Sequence, residues 1–305
     1  MTAPNTTSTD RTRLTGAIAV VVGARGGIGT RVVAKLRAAG ATVVAADLPD
    51  VDASDPASLA ALLDDVARRH HRIDVLVHAA GMVSNEDFGA RTTQDVDAEL
   101  AVNLASPMHL VRMALPLLKK GRLHEVVEAP GRRGWMPGAG RRRRKPVRSH
   151  VIVLGSLGGV MPMPDQAVYA AGKFGLRGAM LSLGMSLRGD GIAVTSVLPS
   201  SVDTPMLWRE VAEDGNALQF LGPPQSPETI ADAALGVIGR HVAEVFPNRV
   251  DGVLARAAML APGLLPHILP RLEPLGRRGM ARYRAELVRR GDLPPSTSST
   301  RTPGK

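Results

Sequence analysis

The sequence Gly23-Ala24-Arg25-Gly26-Gly27-Ile28-Gly29 stands at a strand-to-helix junction in a chain of 305 residues. The apolar run 17–22 before it predicts a buried strand, and the pattern of 30–39 after it predicts a helix. Glycines at such a junction let the backbone approach a ligand closely, and the start of a helix offers free N–H groups and a positive dipole. The junction therefore predicts a pyrophosphate site and the first half of a dinucleotide-binding unit.

Other short apolar runs alternate with helical patterns along the chain, which is typical of βαβ units. Strands of a parallel sheet read as continuous apolar runs because helices cover both faces. We therefore predict an α/β fold class, with a single doubly wound Rossmann-type parallel sheet and helices on both faces. The runs that predict strands are 17–22, 42–46, 75–78, 151–154, 193–198 and, more weakly, 244–246.

The pattern predicts one domain over 14–290, between disordered tails at 1–13 and 291–305. It is interrupted by a Gly-, Pro- and Arg-rich stretch, 121–149, which predicts a disordered insert. A helix-to-strand junction of a parallel sheet faces away from the site, so we expect this insert not to gate the chemistry. The apolar C-terminal segment 251–290 has leucines and methionines between prolines, which predicts short helices that form a flap or lie on a surface.

Composition excludes several classes of function. The chain has no cysteine, so disulfides, thiolate zinc sites and a cysteine nucleophile are excluded. It lacks an uninterrupted apolar run of about eighteen residues, and residues 1–13 lack the apolar core of a secretory signal. We expect a cytoplasmic protein and leave peripheral association with a membrane open.

The positive charge is concentrated in one place. The net charge is +10, yet 119–148 contain eleven Lys and Arg and two Glu, a net of +9. The rest of the chain is nearly neutral, which argues against a nucleic-acid-binding body. We expect the insert to be a solvated loop, with nucleic acid or an anionic membrane surface as the alternative partners.

Asp47 ends the second predicted strand, where a carboxylate can accept hydrogen bonds from ribose hydroxyls. This position favours NAD over NADP, because a 2′-phosphate would meet a like charge. Arg25 is the counter-argument, since its guanidinium could hold that phosphate. The alternative for Asp47 is a surface residue that opens a turn.

A second constellation follows the strand 151–154. Ser156 comes directly after this strand, and Tyr169 and Lys173 follow four residues apart, on one helix face. A lysine beside a phenol favours the phenolate, so we expect the pKa of Tyr169 to lie below its reference value of about 10. These residues predict a tyrosine acid–base site.

With these motifs the chain resembles the classical short-chain dehydrogenase/reductase family, from residue 14 to about 247 apart from the insert. The positions that match the family's catalytic tetrad are Asn103, Ser156, Tyr169 and Lys173. Cofactor contacts are predicted for Gly23, Arg25, Gly27, Ile28, Gly29, Asp47, Asp52, Ala53, Ala80, Gly81, Tyr169, Lys173, Pro199, Val202 and Thr204. The chain departs from the family pattern at Val22, His78, Ala79 and Ser200.

The resemblance implies an oxidoreductase that uses NAD, with NADP as the alternative, and it assigns the roles of the tetrad. By it, Tyr169 exchanges a proton with the substrate oxygen, which Ser156 positions. Lys173 binds the nicotinamide ribose and lowers the pKa of Tyr169, while Asn103 holds a water of the proton relay. His78 ends a buried strand, where we expect a hydrogen-bonded structural residue, and the histidines do not form a metal set.

The predicted substrate border is apolar, which favours a hydrophobic secondary alcohol or ketone of steroid-, terpenoid-, fatty- or polyketide-like character. Its predicted members are Met82, Val83, Leu157, Val160, Met161, Met163, Met206, Leu207, Trp208 and Phe220. A homodimer or homotetramer is expected. Two other classes remain open, namely a non-catalytic nucleotide-sensing protein and a protein that uses the same fold to bind an anionic surface.

Overall fold

The computed structural model describes residues 14–127 and 146–294. Strands in these residues form a six-stranded parallel sheet in the order β2-β1-β3-β4-β5-β6. They are β1 (Ile18–Val22), β2 (Thr42–Ala46), β3 (Val75–His78), β4 (Ser149–Leu154), β5 (Ile192–Val197) and β6 (Glu244–Val245). The predicted doubly wound sheet is confirmed, and each predicted strand is found within two residues of its expected ends.

Helices cover both faces of the sheet because alternate side chains of each buried strand point to opposite sides. The helices of the described residues are α1 (Gly27–Ala38), α2 (Pro56–His70), α3 (Thr93–Leu100), α4 (Ser106–Leu118), α5 (Leu123–Val126), α6 (Ala167–Ser186), α7 (Pro205–Ala212), α8 (Pro227–Leu235), α9 (Arg249–Ala258) and α10 (Leu265–Arg290). Val21 and Val77 share a buried cluster with residues of α1 and α8, whereas Val20 and Leu76 share one with residues of α2 and α4.

The strand order reverses at β1, and this reversal positions the site. In open α/β sheets a ligand crevice forms outside the carboxyl ends of the strands, at the point where the order reverses. Here Gly23 follows β1, Ala79 follows β3, and Gly155 follows β4. The topology therefore brings the predicted motifs to one edge of the sheet.

The prediction that 121–149 form a disordered insert is wrong at both ends of this range. Residues 121–127 contain α5, and Ser149 belongs to β4. Leu123 and Val147 are buried in the core, which fixes these flanks. Residues 128–145, which hold the arginine run, lie outside the described residues.

The C-terminal segment also differs from its prediction. Instead of short helices, α10 runs for 26 residues and includes Pro270 and Pro274. Both prolines are exposed, so water can reach the carbonyls that they leave without a partner, while Leu269 and Met280 hold the buried face. The disordered tail predicted for 291–305 is wrong at its start, because Leu293 packs beside this helix. Residues 1–13 and 295–305, on which the predicted tails also fall, lie outside the described residues.

Over residues 14–127 and 146–294, no single helix has the length and hydropathy needed to cross a membrane. The pair Arg249–Ala258 and Pro262–Arg290 passes that test together, but the pair is bent by 92°. The expected cytoplasmic location stays a prediction.

Candidate active site

The glycine loop is closed so tightly that side chains are excluded. Gly23 has φ +81°, and a Cβ there would lie 2.3 Å from the backbone nitrogen of Ala80. A Cβ on Gly29 would lie 1.9 Å from the carbonyl oxygen of Gly23, and one on Gly27 would lie 2.6 Å from Thr204 Cγ2. Since α1 begins at this loop, its first N–H groups are left to a ligand. The cradle fits a pyrophosphate.

Asp47 and Arg25 meet at the carboxyl end of β2. The Arg25 backbone N–H donates to Asp47 Oδ2 over 2.6 Å, and the Leu48 N–H donates to Asp47 Oδ1 over 2.8 Å. The Arg25 guanidinium turns away to Asp50, 2.8 Å distant, and to the Leu48 carbonyl. The arginine therefore already has an anionic partner in the turn after β2.

Asp52 and Ala53 lie in the turn that precedes α2. Asp52 Oδ1 accepts hydrogen bonds from the Ser54 N–H at 2.8 Å and the Ser54 hydroxyl at 2.7 Å. These bonds lower the pKa of Asp52. The cofactor contacts predicted for Asp52 and Ala53 stay a prediction.

Asn103 is buried in a wide π-helical turn, Ala101–Ala105, between α3 and α4. Its Nδ2 donates to the Met82 carbonyl at 2.7 Å, and its Oδ1 accepts the Met82 N–H at 3.2 Å. The turn thus fixes Asn103 against the loop after β3. π-Helical turns occur frequently at functional sites, but hydrophobic spacing does not reveal them.

Ser156, Tyr169 and Lys173 come together between β4 and α6. Ser156 Oγ accepts the Gly158 N–H at 3.0 Å, and the serine hydroxyl acts to lower the pKa of Tyr169. Lys173 Nζ lies 5.6 Å from the centre of the Tyr169 ring and donates to the Leu154 carbonyl at 3.3 Å. A Cβ on Gly81 would be 3.3 Å from Asn103 Oδ1 and 3.5 Å from Lys173 Nζ, so Asn103 borders the same space.

The expected fall in the pKa of Tyr169 is wrong in this structure. Burial raises the pKa of Tyr169 to about 12, against the hydrogen bond from Ser156, and the carboxylates of Glu210 and Glu99 add to the rise. Burial also lowers the pKa of Lys173 to about 8, which Glu99 partly opposes. Desolvation of the phenol is the largest cause, so Tyr169 is a neutral phenol near neutral pH.

A buried ion pair lies beside this group. Arg91 Nη2 is 2.6 Å from Glu99 Oε2, and both side chains are at most 5% exposed. Glu99 stands four residues before Asn103, and burial raises its pKa while Arg91 opposes that rise. Hydrophobic periodicity does not indicate this pair.

His78 has the structural role expected for it. Its Nε2 lies 2.8 Å from Ser106 Oγ, and burial together with the charge of Lys173 lowers its pKa to about 3. The ring is therefore neutral. Within the described ranges, no group of three or more His, Asp or Glu side chains is arranged to hold a metal ion.

A cavity of about 1170 Å³ joins these parts. It extends from Ile28, Gly81 and Lys173 past Ser156 and Tyr169 to α9 and α10. The predicted cofactor residues that line it are Ile28, Ala80, Gly81, Tyr169, Lys173, Pro199, Val202 and Thr204. The predicted substrate residues that line it are Met82, Val83, Leu157, Met161, Met163, Met206 and Leu207.

Three predicted border residues belong to the packed interior instead. Val160 packs with Leu198, whereas Phe220 stacks near Tyr283 with ring centres 5.7 Å apart. Trp208 donates from Nε1 to Asp203 at 2.6 Å. Chain order places these side chains near the site but does not show which way they point.

Much of the outer wall was not predicted from the sequence. Apolar residues of α9 and α10 and of the segment between them line it, namely Val250, Leu254, Ala255, Ala258, Leu264, Leu265, Ile268, Leu269 and Leu272. Leu265, Leu269 and Leu272 recur at intervals of four and three residues, which was the available signal. The prolines between them obscured it.

Glu210 also lies at the cavity without having been predicted from the sequence. This carboxylate of α7 lines the cavity although it is only 6% exposed, and Gln219 Nε2 donates to its Oε2 at 2.6 Å. Burial raises the pKa of Glu210, while the bond from Gln219 opposes that rise. A polar pair thus interrupts the apolar wall.

Asp203 fastens α10 to the loop after β5. It accepts hydrogen bonds from Trp208, from Arg290 Nη1 at 2.7 Å and from the Tyr283 hydroxyl. Burial raises its pKa, but these donors outweigh burial and lower the pKa to about 2. The C-terminal helix is thereby held against the residues that border Val202 and Thr204.

Comparisons with known proteins agree with this architecture. Two family models match the chain, one described as enoyl-(acyl carrier protein) reductase over 49–129 and one as short chain dehydrogenase over 144–215. D-beta-hydroxybutyrate dehydrogenase of Rhizobium meliloti is 25% identical over 271 residues, which cover 76% of this chain and 95% of that protein. 3-Oxoacyl-(acyl-carrier-protein) reductase of Thermotoga maritima is 25% identical over 247 residues, which cover 73% and 90%.

The solved structure of ligand-free aldohexose dehydrogenase from Thermoplasma acidophilum superposes with a TM-score of 0.61. It is 16% identical, and the match covers 77% of this chain and 94% of that one, a likeness that concerns the fold alone. The family models and the sequence relatives are named as reductases or dehydrogenases, which supports an enzyme. The alternative of a non-catalytic nucleotide-sensing protein is therefore dropped. The chain belongs to the short-chain dehydrogenase/reductase family and is an NAD(P)-dependent oxidoreductase that acts on the CH–OH or keto group of a small molecule.

Proposed function

We propose that this enzyme transfers a hydride between NAD and a hydrophobic secondary alcohol or ketone of steroid-, terpenoid-, fatty- or polyketide-like character. The observation that carries the proposal is the large cavity beside Ser156 and Tyr169, whose outer wall is built from leucines and alanines of α9 and α10. A polar substrate would lose its hydration there without compensation. An apolar substrate would gain from burial.

Tyr169 is the proposed acid–base residue, and its state fits carbonyl reduction. A pKa of about 12 keeps the phenol protonated near neutral pH, which is the form that donates a proton to a carbonyl oxygen. Ser156 positions that oxygen and the phenol. The nicotinamide supplies or accepts the hydride when it is bound.

Lys173 and Asn103 support Tyr169 in this proposal. Lys173 is buried with a pKa of about 8, so it is mostly protonated near neutral pH and favours charge on the phenol during proton transfer. Asn103, fixed by two bonds to Met82, borders Lys173 and is placed to orient a relay water.

The preference for NAD rests on the turn after β2. Asp47 and Asp50 place two carboxylates there, and Asp50 already pairs with Arg25. A 2′-phosphate would therefore meet two like charges and a cation that is already engaged. Titration of both cofactors against intrinsic fluorescence tests this, and tighter binding of NADP would contradict it.

Glu210 and Gln219 narrow the substrate class further. They form a polar position in an apolar wall, which suits a substrate with a second hydroxyl or carbonyl group away from the reacting carbon. Steroid- and polyketide-like compounds have such groups.

A homodimer or homotetramer remains part of the proposal. Met108 on α4 and Met185 on α6 are exposed, at 43% and 75%, on adjoining helices, which suits an apolar contact between copies. Light scattering during size exclusion tests the oligomeric state, and a monomer at all concentrations would contradict it.

The experiment is a spectrophotometric screen of NAD and NADP reduction with secondary alcohols of increasing apolar size and a short polyol as the polar control. We expect kcat/KM to rise with apolar area and NAD to exceed NADP. A preference for the polyol would overturn the substrate class, and no turnover with any alcohol or matching ketone would overturn the proposal.

A further inference from the structure

The large hydrophobic side chains that the fold leaves exposed are concentrated at the C-terminus. Of the twelve exposed ones in the described residues, seven lie in 250–275. We name this group the C-terminal apolar face: Val250, Val253, Leu254, Leu260, Leu264, Ile268 and Leu275. Clustering of this kind marks a surface that meets another apolar phase or partner.

The apolar face spans a sharp bend in the chain. The helix pair Arg249–Ala258 and Pro262–Arg290 is bent by 92°, and Leu260 stands at the bend with 87% of its surface exposed. Val253, Leu260 and Leu275 are exposed but do not line the cavity, so their exposure does not belong to the substrate site.

Positive charge continues along the same side of α10. Ile268, Leu275 and Arg282 are seven residues apart, so they lie on one side of the helix, and Arg271 and Arg278 fall between them on that side. All five side chains are exposed. The segment 249–290 contains nine Arg and three Asp or Glu, a net charge of +6. This side of α10 therefore combines exposed apolar residues near the bend with exposed arginines, a combination that suits an anionic lipid surface.

Two features disfavour a protein partner. Residues 249–275 contain no aromatic side chain, whereas protein interfaces are enriched in Tyr, Trp and Phe. A second copy packed on the same face would bring a segment of the same net charge, +6, which opposes the contact. An anionic lipid surface instead complements the charge.

We propose that the C-terminal apolar face docks on an anionic phospholipid bilayer, with Leu260 and Leu264 among the acyl chains and Arg278 and Arg282 on lipid phosphates. The proposal goes beyond the enzyme activity and does not require it. One extension rests on the proposed function: Val250, Leu254, Leu264 and Ile268 also line the cavity, so an apolar substrate enters it from the bilayer.

The test is flotation of the full chain with phosphatidylglycerol/phosphatidylcholine vesicles and with phosphatidylcholine vesicles. Leu260→Glu/Leu275→Glu changes two exposed residues that do not line the cavity, and Arg278→Glu/Arg282→Glu changes the basic end. We expect each variant to lower the partition coefficient on anionic vesicles about tenfold or more. The matched controls, Phe88→Glu and Arg37→Glu/Arg188→Glu, also change exposed residues and should stay within twofold.

The basic insert is intact in every variant, so it cannot produce these differences. Equal flotation of the Leu260→Glu/Leu275→Glu variant and the unmodified chain would overturn the proposal. A change in its oligomeric state without a change in flotation would overturn it in favour of a second copy. Flotation that persists while no hydrophobic alcohol is turned over would leave docking intact and overturn the proposed function instead.

Discussion

The cofactor cradle and the substrate wall are built by different means. The cradle is made of backbone: Gly23 and Gly29 approach other main-chain atoms so closely that a Cβ would lie within 2.3 Å of them. The wall is made of side chains on α9 and α10, and between these helices a Cβ on Gly263 would meet no heavy atom within 4 Å. Few sequences can therefore form the cradle, whereas many apolar sequences can form the wall.

Loss of the Tyr169 hydroxyl should have the largest effect. We expect Tyr169→Phe to lower kcat by about two to four orders of magnitude, the usual contribution of a positioned acid–base group. Circular dichroism and NAD titration should match the unmodified chain, which separates chemistry from folding. A kcat within threefold of the unmodified enzyme would remove Tyr169 from the mechanism.

Gly29→Ala and Gly263→Ala compare the two regions directly. A methyl group on Gly29 overlaps the Gly23 carbonyl and must displace the loop, so we expect NAD binding to weaken about 10- to 100-fold and Tm to fall. A methyl group on Gly263 has open space, so Gly263→Ala should leave the affinity for NAD within twofold and Tm within a few degrees of the unmodified chain. Calorimetric titration and thermal unfolding measure the two effects. Equal losses in the two variants would refute the contrast between cradle and wall.

The same contrast explains what could be predicted from the sequence. Asn103 lies in a π-helical turn and was predicted from the family resemblance. Gly23, Ser156 and Tyr169 sit at strand ends or on a helix face, where the chemistry restricts both residue type and spacing. They could therefore be found without a structure.

The wall and the electrostatics could not be found in this way. The packing of Val160 and Trp208 in the interior, away from the cavity, depends on how distant elements pack. The effect of Glu210 on Tyr169 depends on it as well. The rise of the Tyr169 pKa follows from burial, which local spacing does not show. The prolines in α10 predicted breaks in the helix. The helix continues through them because the carbonyls that they leave without a partner are exposed to water.

Glu210 provides a pH-dependent test of the wall. Its carboxylate opposes ionisation of Tyr169, so Glu210→Gln lowers the pKa of Tyr169 and moves the rise of alcohol oxidation to lower pH. We expect kcat/KM for oxidation near pH 7 to increase about two- to fivefold, with Glu228→Gln, an exposed carboxylate on α8, as the control. An unchanged pH profile would show that Glu210 does not act on the phenol.

The same variant should alter stability with a definite sign. Burial raises the pKa of Glu210 in the folded state, so the stability that its protonated form contributes is lost as pH rises through that pKa. Glu210→Gln should therefore raise Tm near pH 7 more than near pH 4. Thermal unfolding at both pH values measures this, and an equal change at both would contradict it.

Residues 128–145 should have the smallest effect on chemistry. Their flanks lie at the edge of the sheet opposite the site, where Val127 is near Gly239 and the Pro146 carbonyl is near Gly191. Replacement of 128–145 by a short Gly/Ser linker should leave kcat and KM for a water-miscible alcohol within about twofold. A tenfold loss of kcat in a folded variant would show that the insert reaches the active site.

Hydride transfer between an apolar alcohol and NAD can be followed atom by atom. The best alcohol of the screen, deuterated at its carbinol carbon, is oxidised by the unmodified enzyme with NAD. Mass spectrometry then measures the deuterium content of the NADH that forms. The account predicts one deuterium in each NADH that forms and almost no NADH with Tyr169→Phe. NADH without deuterium, or equal NADH formation by Tyr169→Phe, would contradict direct transfer at this site.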